Sequence, residues 1–347
     1  MDPRYFGHQC LEPEVFWDDV KSSEESGSRD IWLCCLGKRS TASNRHLWEV
    51  TKRRFPTVPS WVTSALHFWR RRLHFTQIEL LEASIYRLNF LTRRPTTLPA
   101  SAVMSERRSE ILSRLDNPER PYVVFTIREG DSSEDLRNRM VQEMVPAMIE
   151  LTRRGFNVVR LTSCSNDLIS DQSRNLLDWQ VQQNGMSGDE MVLISGASFV
   201  VSTLTGGDCL ALAYRKPVLY VDSLRFYLMF LGTELATFQV ARFMDRASGA
   251  TLTLADLLSR NLGWFGDQRE LTGAGVNVVK STPAEIREYV VEYLHMLRAG
   301  LSPEQESGQD RWRELLLSKH GKEIEAKNGE VRATLLPSSV KSFVPTS

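Results

Sequence analysis

The 347-residue chain is poor in cysteine and has no long apolar run. Its five cysteines are odd in number and include no Cys-x-x-Cys pair, which argues against a zinc knuckle and a disulfide framework. No stretch approaches the roughly 18 apolar residues of a membrane-spanning helix. The first residues also lack the basic and apolar regions of a secretory signal. We therefore expect reduced thiols in a cytoplasmic protein, with at most peripheral contact to an inner membrane.

The chain also lacks a net charge. Lysine and arginine together number 43, and so do aspartate and glutamate, so the overall charge does not attract nucleic acid or an anionic membrane. One local exception is Trp69-Arg70-Arg71-Arg72, where basic and aromatic residues could contact a membrane or a polyanion. A solvated helix face is the simpler interpretation of this stretch, and we expect no nucleic-acid partner.

Several motifs for phosphate binding and catalysis are missing. There is no G-x-x-x-x-G-K-[ST] loop and no complete G-x-G-x-x-G, which disfavours an ATPase and a standard dehydrogenase. The G-x-S-x-G elbow of many hydrolases is absent as well. No two aspartates stand two positions apart, so the sequence lacks the Asp-x-Asp that holds a metal beside the nucleotide in many transferases. We expect neither a metal nor a cofactor.

The second half of the chain shows an alternation of strands and helices. Such an alternation is typical of βαβ units on a parallel sheet, and it predicts an α/β, Rossmann-like fold. The predicted strands are Tyr122–Ile127, Asn157–Leu161, Phe199–Ser202 and Val218–Val221, and the predicted helices include Arg139–Arg154, Asp208–Tyr214 and one that starts after Thr282.

A polar, proline-containing stretch at residues 93–99 divides the chain. We expect a small α/β domain in residues 1–95 and the Rossmann-like domain in residues 100–300. Residues 301–347 are expected to form a charged helix followed by a mobile tail.

The first candidate site follows the predicted strand that ends at Ile127. Ligands of open α/β sheets bind at the carboxyl ends of strands, and there Arg128 could hold a diphosphate with two parallel hydrogen bonds. Asp131 lies in the same turn, and Arg137 and Asn138 begin the next helix, where the helix dipole favours an anion. The alternative is that Arg128 only pairs with an acidic neighbour at the surface.

The second candidate site is a glycine turn between a strand and a helix. Gly206 and Gly207 would let backbone amides approach a phosphate closely, and the helix start offers unpaired N–H groups. Thr203 and Thr205 add hydroxyl donors, and Asp208 follows directly. The alternative is a tight turn without a ligand, with Asp208 as a simple helix cap. A third candidate, the His8 imidazole beside Gly7, carries no weight by composition alone.

The order and spacing of five stretches resemble one known family. It comprises bacterial glycosyltransferases of surface-polysaccharide gene clusters, distantly similar to O-fucosyltransferases, with two facing Rossmann-like domains in the GT-B arrangement. The stretches are Tyr122–Asp131, Leu136–Arg139, Leu151–Leu161, Phe199–Gly207 with Lys216-Pro217-Val218 behind it, and Phe6-Gly7-His8.

The resemblance implies a nucleotide-sugar donor and a glycan or lipid-linked acceptor. It assigns Arg128 to the donor diphosphate, and His8 or a carboxylate to the acceptor proton, for transfer of a hexosyl or deoxyhexosyl group. Two departures stand out: the turn at Arg128 is two residues longer than in the family, and only six residues precede Gly7, where a strand is normally found. The N-terminal domain is therefore expected to be small and incomplete. This leaves two alternatives open, a catalytically inactive nucleotide-sugar-binding module and a transferase of a non-sugar group such as pyruvyl.

Overall fold

The computed structural model describes most of the second half of the chain and part of the first. The described residues are 21, 24–27, 34–35, 45–59, 61–62, 65, 68, 98, 102–129, 136–162, 173–180, 188–224, 232–260, 262, 268–326 and 331–344. Gly7, His8, Asp131 and the Trp69–Arg72 stretch lie outside these ranges, so their predicted roles stay predictions.

Helices and strands alternate through the described residues. In chain order they are β1 (Cys34–Cys35), α1 (Arg45–Arg54), β2 (Thr57–Val58), α2 (Ala102–Leu112), β3 (Tyr122–Thr126), α3 (Val141–Arg153), β4 (Asn157–Thr162), β5 (Leu176–Gln180), α4 (Asp189–Gly196), β6 (Phe199–Ser202), α5 (Gly206–Ala213), β7 (Val218–Ser223), β8 (Ala236–Val240), β9 (Arg242–Asp245), α6 (Leu254–Ser259), α7 (Gln268–Gly273), β10 (Val276–Val279), α8 (Pro283–Ala299), α9 (Pro303–Ala326), β11 (Thr334–Leu335) and α10 (Pro337–Phe343).

The central sheet has seven strands in the order β11-β8-β7-β6-β3-β4-β5, and every neighbouring pair is parallel. Within this sheet the chain runs from β3 outward through β4 to β5. It then crosses to β6 on the other side of β3 and continues outward through β7 and β8. The direction of winding therefore reverses between β3 and β6. This is the strand order of a doubly wound Rossmann-like sheet, and the predicted α/β fold class is confirmed.

Each face of the sheet is covered by helices, because successive side chains along a strand point to opposite faces. On one face Val123 packs in a cluster with Met144 of α3 and Ile286 of α8. On the other face Val124 packs in a cluster that contains Leu193 of α4 together with residues of α2 and α5. Both faces of β3 are therefore buried, which explains why its sequence is a continuous apolar run rather than an alternating one.

Helix starts agree with the sequence in one case and differ in another. Thr282 caps α8 as predicted, with its hydroxyl oxygen accepting the Glu285 N–H at 3.3 Å and the Glu285 carboxylate accepting the Thr282 N–H at 2.7 Å. The pattern Ser187-Gly188-Asp189-Glu190 predicts a second capping box, with Ser187 as the N-cap of α4, and this prediction is wrong. The N-cap is Gly188 in the left-handed region, and the acid that follows it, Asp189, binds an arginine of α2 instead.

Residues 331–344, for which the sequence predicted a mobile tail, add a strand and a helix to the seven-stranded sheet. Strand β11 pairs in parallel with β8, and α10 packs onto the sheet behind it. The Gln309 side chain of α9 donates to the Leu335 carbonyl and accepts the Leu335 N–H, both at 2.8 Å. An amide side chain thus satisfies the outer edge of a two-residue edge strand.

Candidate functional site

The carboxyl ends of β3 and β6 are joined by hydrogen bonds at the point where the winding reverses. The Arg128 N–H donates to the Thr203 hydroxyl oxygen at 2.8 Å, and the Thr203 N–H donates to the Thr126 carbonyl at 3.2 Å. The Arg128 carbonyl accepts the Arg139 N–H at 2.9 Å. Segments 126–129, 136–139 and 202–208, which the sequence singled out separately, therefore meet in what we call the switch-point crevice. Ligands of open α/β sheets bind at this place in the topology.

The start of helix α5 forms one wall of the crevice. Thr205 is its N-cap, and its hydroxyl oxygen accepts the Gly207 N–H at 3.2 Å. A helix start leaves several N–H groups without a partner inside the helix. Since the Gly207 amide is used by the cap, the amides of Gly206 and Asp208 are the ones in this turn that suit an anion.

Gly207 has a packing role that the sequence did not reveal. A Cβ atom built at this position would lie 2.7 Å from the Cγ2 atom of Thr126, which is closer than side chains tolerate. Helix α5 therefore approaches the end of β3 so closely that position 207 requires glycine. The sequence predicted that both glycines let backbone amides approach a phosphate closely. For Gly207, packing against Thr126 is by itself a sufficient reason for glycine, without any ligand.

Two arginines line the crevice with different exposure. The Arg128 side chain is exposed and Arg137 is half-buried, and the charge of Arg137 lowers the pKa of Asp208. The predicted alternative was a surface pair between Arg128 and an acidic neighbour. Of those neighbours, Glu129 accepts a hydrogen bond from the buried Arg160 at 3.1 Å. The charge of Arg137 therefore reaches the start of α5, while Arg128 follows the strand end that is hydrogen-bonded to Thr203.

Asp208 is a buried acid beneath the crevice, and Thr205 rather than Asp208 caps the helix. The Asp208 side chain accepts hydrogen bonds from the Ser202 hydroxyl at 3.2 Å and from the Cys209 N–H at 2.7 Å. Burial raises the pKa of Asp208 to about 7, partly opposed by these hydrogen bonds and by the charge of Arg137. With 1% exposure, the carboxyl acts on the crevice through its charge rather than by contact.

The segment before α3 is held in place by contacts with residues from later in the chain. Lys280 donates to the Asn138 carbonyl at 2.6 Å, and the buried Arg139 side chain pairs with Asp222 and donates to the Ser281 carbonyl at 3.0 Å. Asp222, with a positive φ of 48°, also accepts the Ser281 hydroxyl at 2.7 Å. Arg139 is therefore a structural residue, and it drops out as an alternative ligand for the diphosphate.

Two further groups near this edge of the sheet escaped the sequence interpretation. Arg160 is fully buried in β4 and pairs with Asp178 of β5 at 2.6 Å as well as with Glu129. The feature of the sequence that could have revealed Arg160 is a single arginine within an otherwise apolar predicted strand. The second group is Glu190 in the first turn of α4, where burial raises the pKa of the carboxyl to about 7.

Among the residues that the structure describes, no group of three or more His, Cys, Asp or Glu side chains is arranged to hold a metal ion. Within the same residues, no helix is both long enough and apolar enough to cross a membrane.

Comparisons with known proteins give distant likenesses only. No family model and no curated protein matches the sequence. Among solved structures, E. coli ADP-heptose LPS heptosyltransferase II matches 70% of this chain over 88% of its own, at 13% identity and a TM-score of 0.44. The dodecameric, iron-containing heptosyltransferase TibC in complex with ADP-D-beta-D-heptose matches 34% of this chain over 31% of its own, at 17% identity and 0.23. E. coli heptosyltransferase WaaC with ADP-2-deoxy-2-fluoro heptose matches 55% over 54%, at 13% identity and 0.23. Likenesses at this distance carry no conclusion about function.

Proposed function

We propose that the protein is a glycosyltransferase that moves a sugar from a nucleoside diphosphate sugar to a hydroxyl acceptor. One observation carries this proposal. At the switch point of a Rossmann-like sheet, Arg128 follows the strand end that is hydrogen-bonded to Thr203, and the charge of Arg137 reaches Asp208 at the start of a helix. Cationic side chains and helix-start amides together favour a phosphate-bearing ligand, and a doubly wound sheet binds nucleotides at this place.

The crevice supplies what a departing diphosphate requires. As the bond between the sugar and the phosphate oxygen breaks, negative charge grows on the diphosphate. The planar guanidinium of Arg128 can bind two of its oxygens at once, while Arg137 and the amides of Gly206 and Asp208 add positive potential. Removal of a single preorganised donor of this kind from an enzyme costs about 2.7–4 kcal/mol of transition-state stabilisation. Since these groups can neutralise the leaving group, the proposed transfer needs no metal ion.

The acceptor side of the proposal rests on the sequence. A general base must take the proton of the attacking hydroxyl, and His8 or a carboxylate remains the predicted base. The predicted acceptor is a glycan or lipid-linked glycan of surface-polysaccharide synthesis, and the predicted group is a hexosyl or deoxyhexosyl unit.

A two-stage experiment tests the proposal. Thermal unfolding is first measured with UDP-, GDP-, dTDP- and ADP-sugars, including ADP-heptose because the solved structures above carry that donor in their names. A ligand at 100 times its dissociation constant adds about 2.7 kcal/mol of apparent stability. The stabilising donor is then incubated with surface glycans, and release of the nucleoside diphosphate is followed with and without EDTA.

We expect one donor class to stabilise the protein and to be consumed equally in EDTA. Binding without turnover would favour the inactive binding module, and transfer that depends on added magnesium or manganese would contradict a metal-independent reaction. If none of these nucleotides stabilises the protein, the proposed function is wrong.

A further inference from the structure

Asp208 is connected to the crevice by a short chain of hydrogen bonds. Its carboxyl accepts the Ser202 hydroxyl, and the Ser202 oxygen in turn accepts the Thr205 N–H at 3.4 Å. Thr205 caps the helix whose first amides face the crevice. A change in the charge of Asp208 therefore changes the electrostatic potential within one helical turn of the position proposed for the diphosphate.

The groups that face Asp208 come from three neighbouring elements. Arg137 acts from the segment before α3, Cys209 from α5 itself, and Tyr220 from β7. Burial and the nearby Asp208 raise the pKa of Tyr220 well above its ordinary value, so this phenol is neutral at physiological pH. Arg137 is the cation in this set, and it belongs to segment 136–139, which borders the crevice.

An ionised Asp208 and a bound diphosphate would compete for the same positive charge. Arg137 and the start of α5 attract either anion, and two negative charges at this separation raise each other's free energy. Protonation of the buried carboxyl removes the conflict without moving any side chain. Coupling of this kind is reciprocal, so a proton that favours diphosphate binding is itself favoured by the diphosphate.

We propose that Asp208 takes up one proton from solvent when a diphosphate binds in the switch-point crevice, so that the site binds tightly only with this carboxyl neutral. The inference rests on the proposed function and assigns Asp208 the role of a positioning residue that balances charge without touching the ligand. No covalent bond changes: the carboxylate and one proton become the carboxylic acid, and the proton returns to solvent when the diphosphate leaves.

The test is isothermal titration of the full chain with UDP-, GDP-, dTDP- and ADP-glucose between about pH 6 and pH 8. Neither the phosphates nor the bases of these compounds titrate in that range, so a pH slope belongs to the protein. For the compound that binds, we expect affinity to fall by up to about tenfold per pH unit above about pH 7, the limit for one linked proton. The isosteric variant Asp208→Asn should keep the affinity found at low pH and lose the slope.

Glu190→Gln is the matched control, because Glu190 is also buried, with its pKa likewise raised to about 7. This variant should keep the wild-type slope. A slope that persists in Asp208→Asn, or one that disappears in Glu190→Gln, would overturn the assignment to Asp208.

A second measurement uses the wild-type protein alone and so does not depend on the folding of a variant. Binding heats at about pH 7.5, compared between buffers of different ionisation enthalpy, should show a net uptake of between about half a proton and one proton. Binding without proton uptake and with a flat pH profile would overturn this inference and leave the proposed function standing. If neither these four compounds nor ADP-heptose binds, both this inference and the proposed function are wrong.

Discussion

Four arginines near the carboxyl edge of the sheet form two contrasting pairs. Arg139 and Arg160 are buried and each is matched with an acid, Asp222 and Asp178 respectively. By contrast, Arg128 is exposed and Arg137 is half-buried, and both border the switch-point crevice. A buried charge must be paired because its desolvation is expensive, whereas an exposed or half-buried cation can be reached by an anion from solvent. Position in the fold thus separates structural arginines from candidate ligand-binding ones.

The largest effect on stability is expected from breaking the buried ion pair between Arg139 and Asp222. Arg139→Met leaves Asp222 as an uncompensated buried charge, and loss of one partner of such a pair costs about 3–5 kcal/mol. Urea unfolding measures this loss directly. The double variant Arg139→Met/Asp222→Asn should recover part of the stability because it removes the orphaned charge. A single variant within about 1 kcal/mol of wild type would show that Arg139 is not the structural anchor described above.

Substitution of an arginine that borders the crevice should have the opposite effect, weakening ligand binding and leaving the stability of the fold nearly unchanged. Arg128→Ala removes hydrogen bonds to a charged ligand worth about 1.5–3 kcal/mol, which corresponds to a loss of nucleotide affinity of roughly 10- to 150-fold. Its free energy of unfolding should change by less than about 1 kcal/mol, as for exposed ion pairs. Arg128→Lys should restore only part of the affinity, because the ammonium lacks the planar fork. If Arg128→Ala unfolds the protein as Arg139→Met does, the division between the two pairs fails.

An intermediate effect is expected where the crevice and the core meet. Gly207→Ala forces a methyl group against Thr126, and overpacking of this kind costs typically about 1–3 kcal/mol. The double variant Gly207→Ala/Thr126→Ser lacks the opposing methyl group and should be more stable than Gly207→Ala alone. Equal stability of these two variants in urea unfolding would show that the contact does not determine the residue at 207.

The smallest effect is expected for an arginine that belongs to neither pair. Arg154 forms a partly exposed ion pair with Glu150 at 2.7 Å on the last turn of α3. Arg154→Ala should cost about 0.5 kcal/mol or less and leave nucleotide affinity unchanged. A loss of affinity in this variant would mean that arginine removal weakens binding non-specifically, and the result for Arg128 would lose its meaning.

The sequence predicted the parts of the fold that depend on local pattern. The strand beginning at Tyr122 and the helix capped by Thr282 carry their signals within a few residues, and both were predicted correctly. The edge strand β11 escaped prediction because it is two residues long and is stabilised by β8 and the distant Gln309. Short strands of this kind depend on tertiary contacts rather than on local propensity.

The sequence indicated which segments lie at the switch point, but not which of their arginines border the crevice and which are buried in ion pairs. Both candidate segments were placed after buried strands, and the carboxyl ends of parallel strands share one edge of the sheet. Nothing in the local sequence distinguishes Arg137 from Arg139, yet one borders the crevice and the other lies beneath it, paired with Asp222. That difference arises from residues more than 80 positions away, which a single sequence does not bring together.

A crystal structure of the protein with its stabilising nucleotide sugar would show directly whether the switch-point crevice binds a diphosphate. We predict that the diphosphate lies in this crevice, with the Arg128 guanidinium and the Gly206 and Asp208 amides within hydrogen-bond distance of its oxygens. Arg139 should remain buried against Asp222 in that complex. A nucleotide bound away from the ends of β3 and β6, or a diphosphate that leaves Arg128 in solvent, would contradict it.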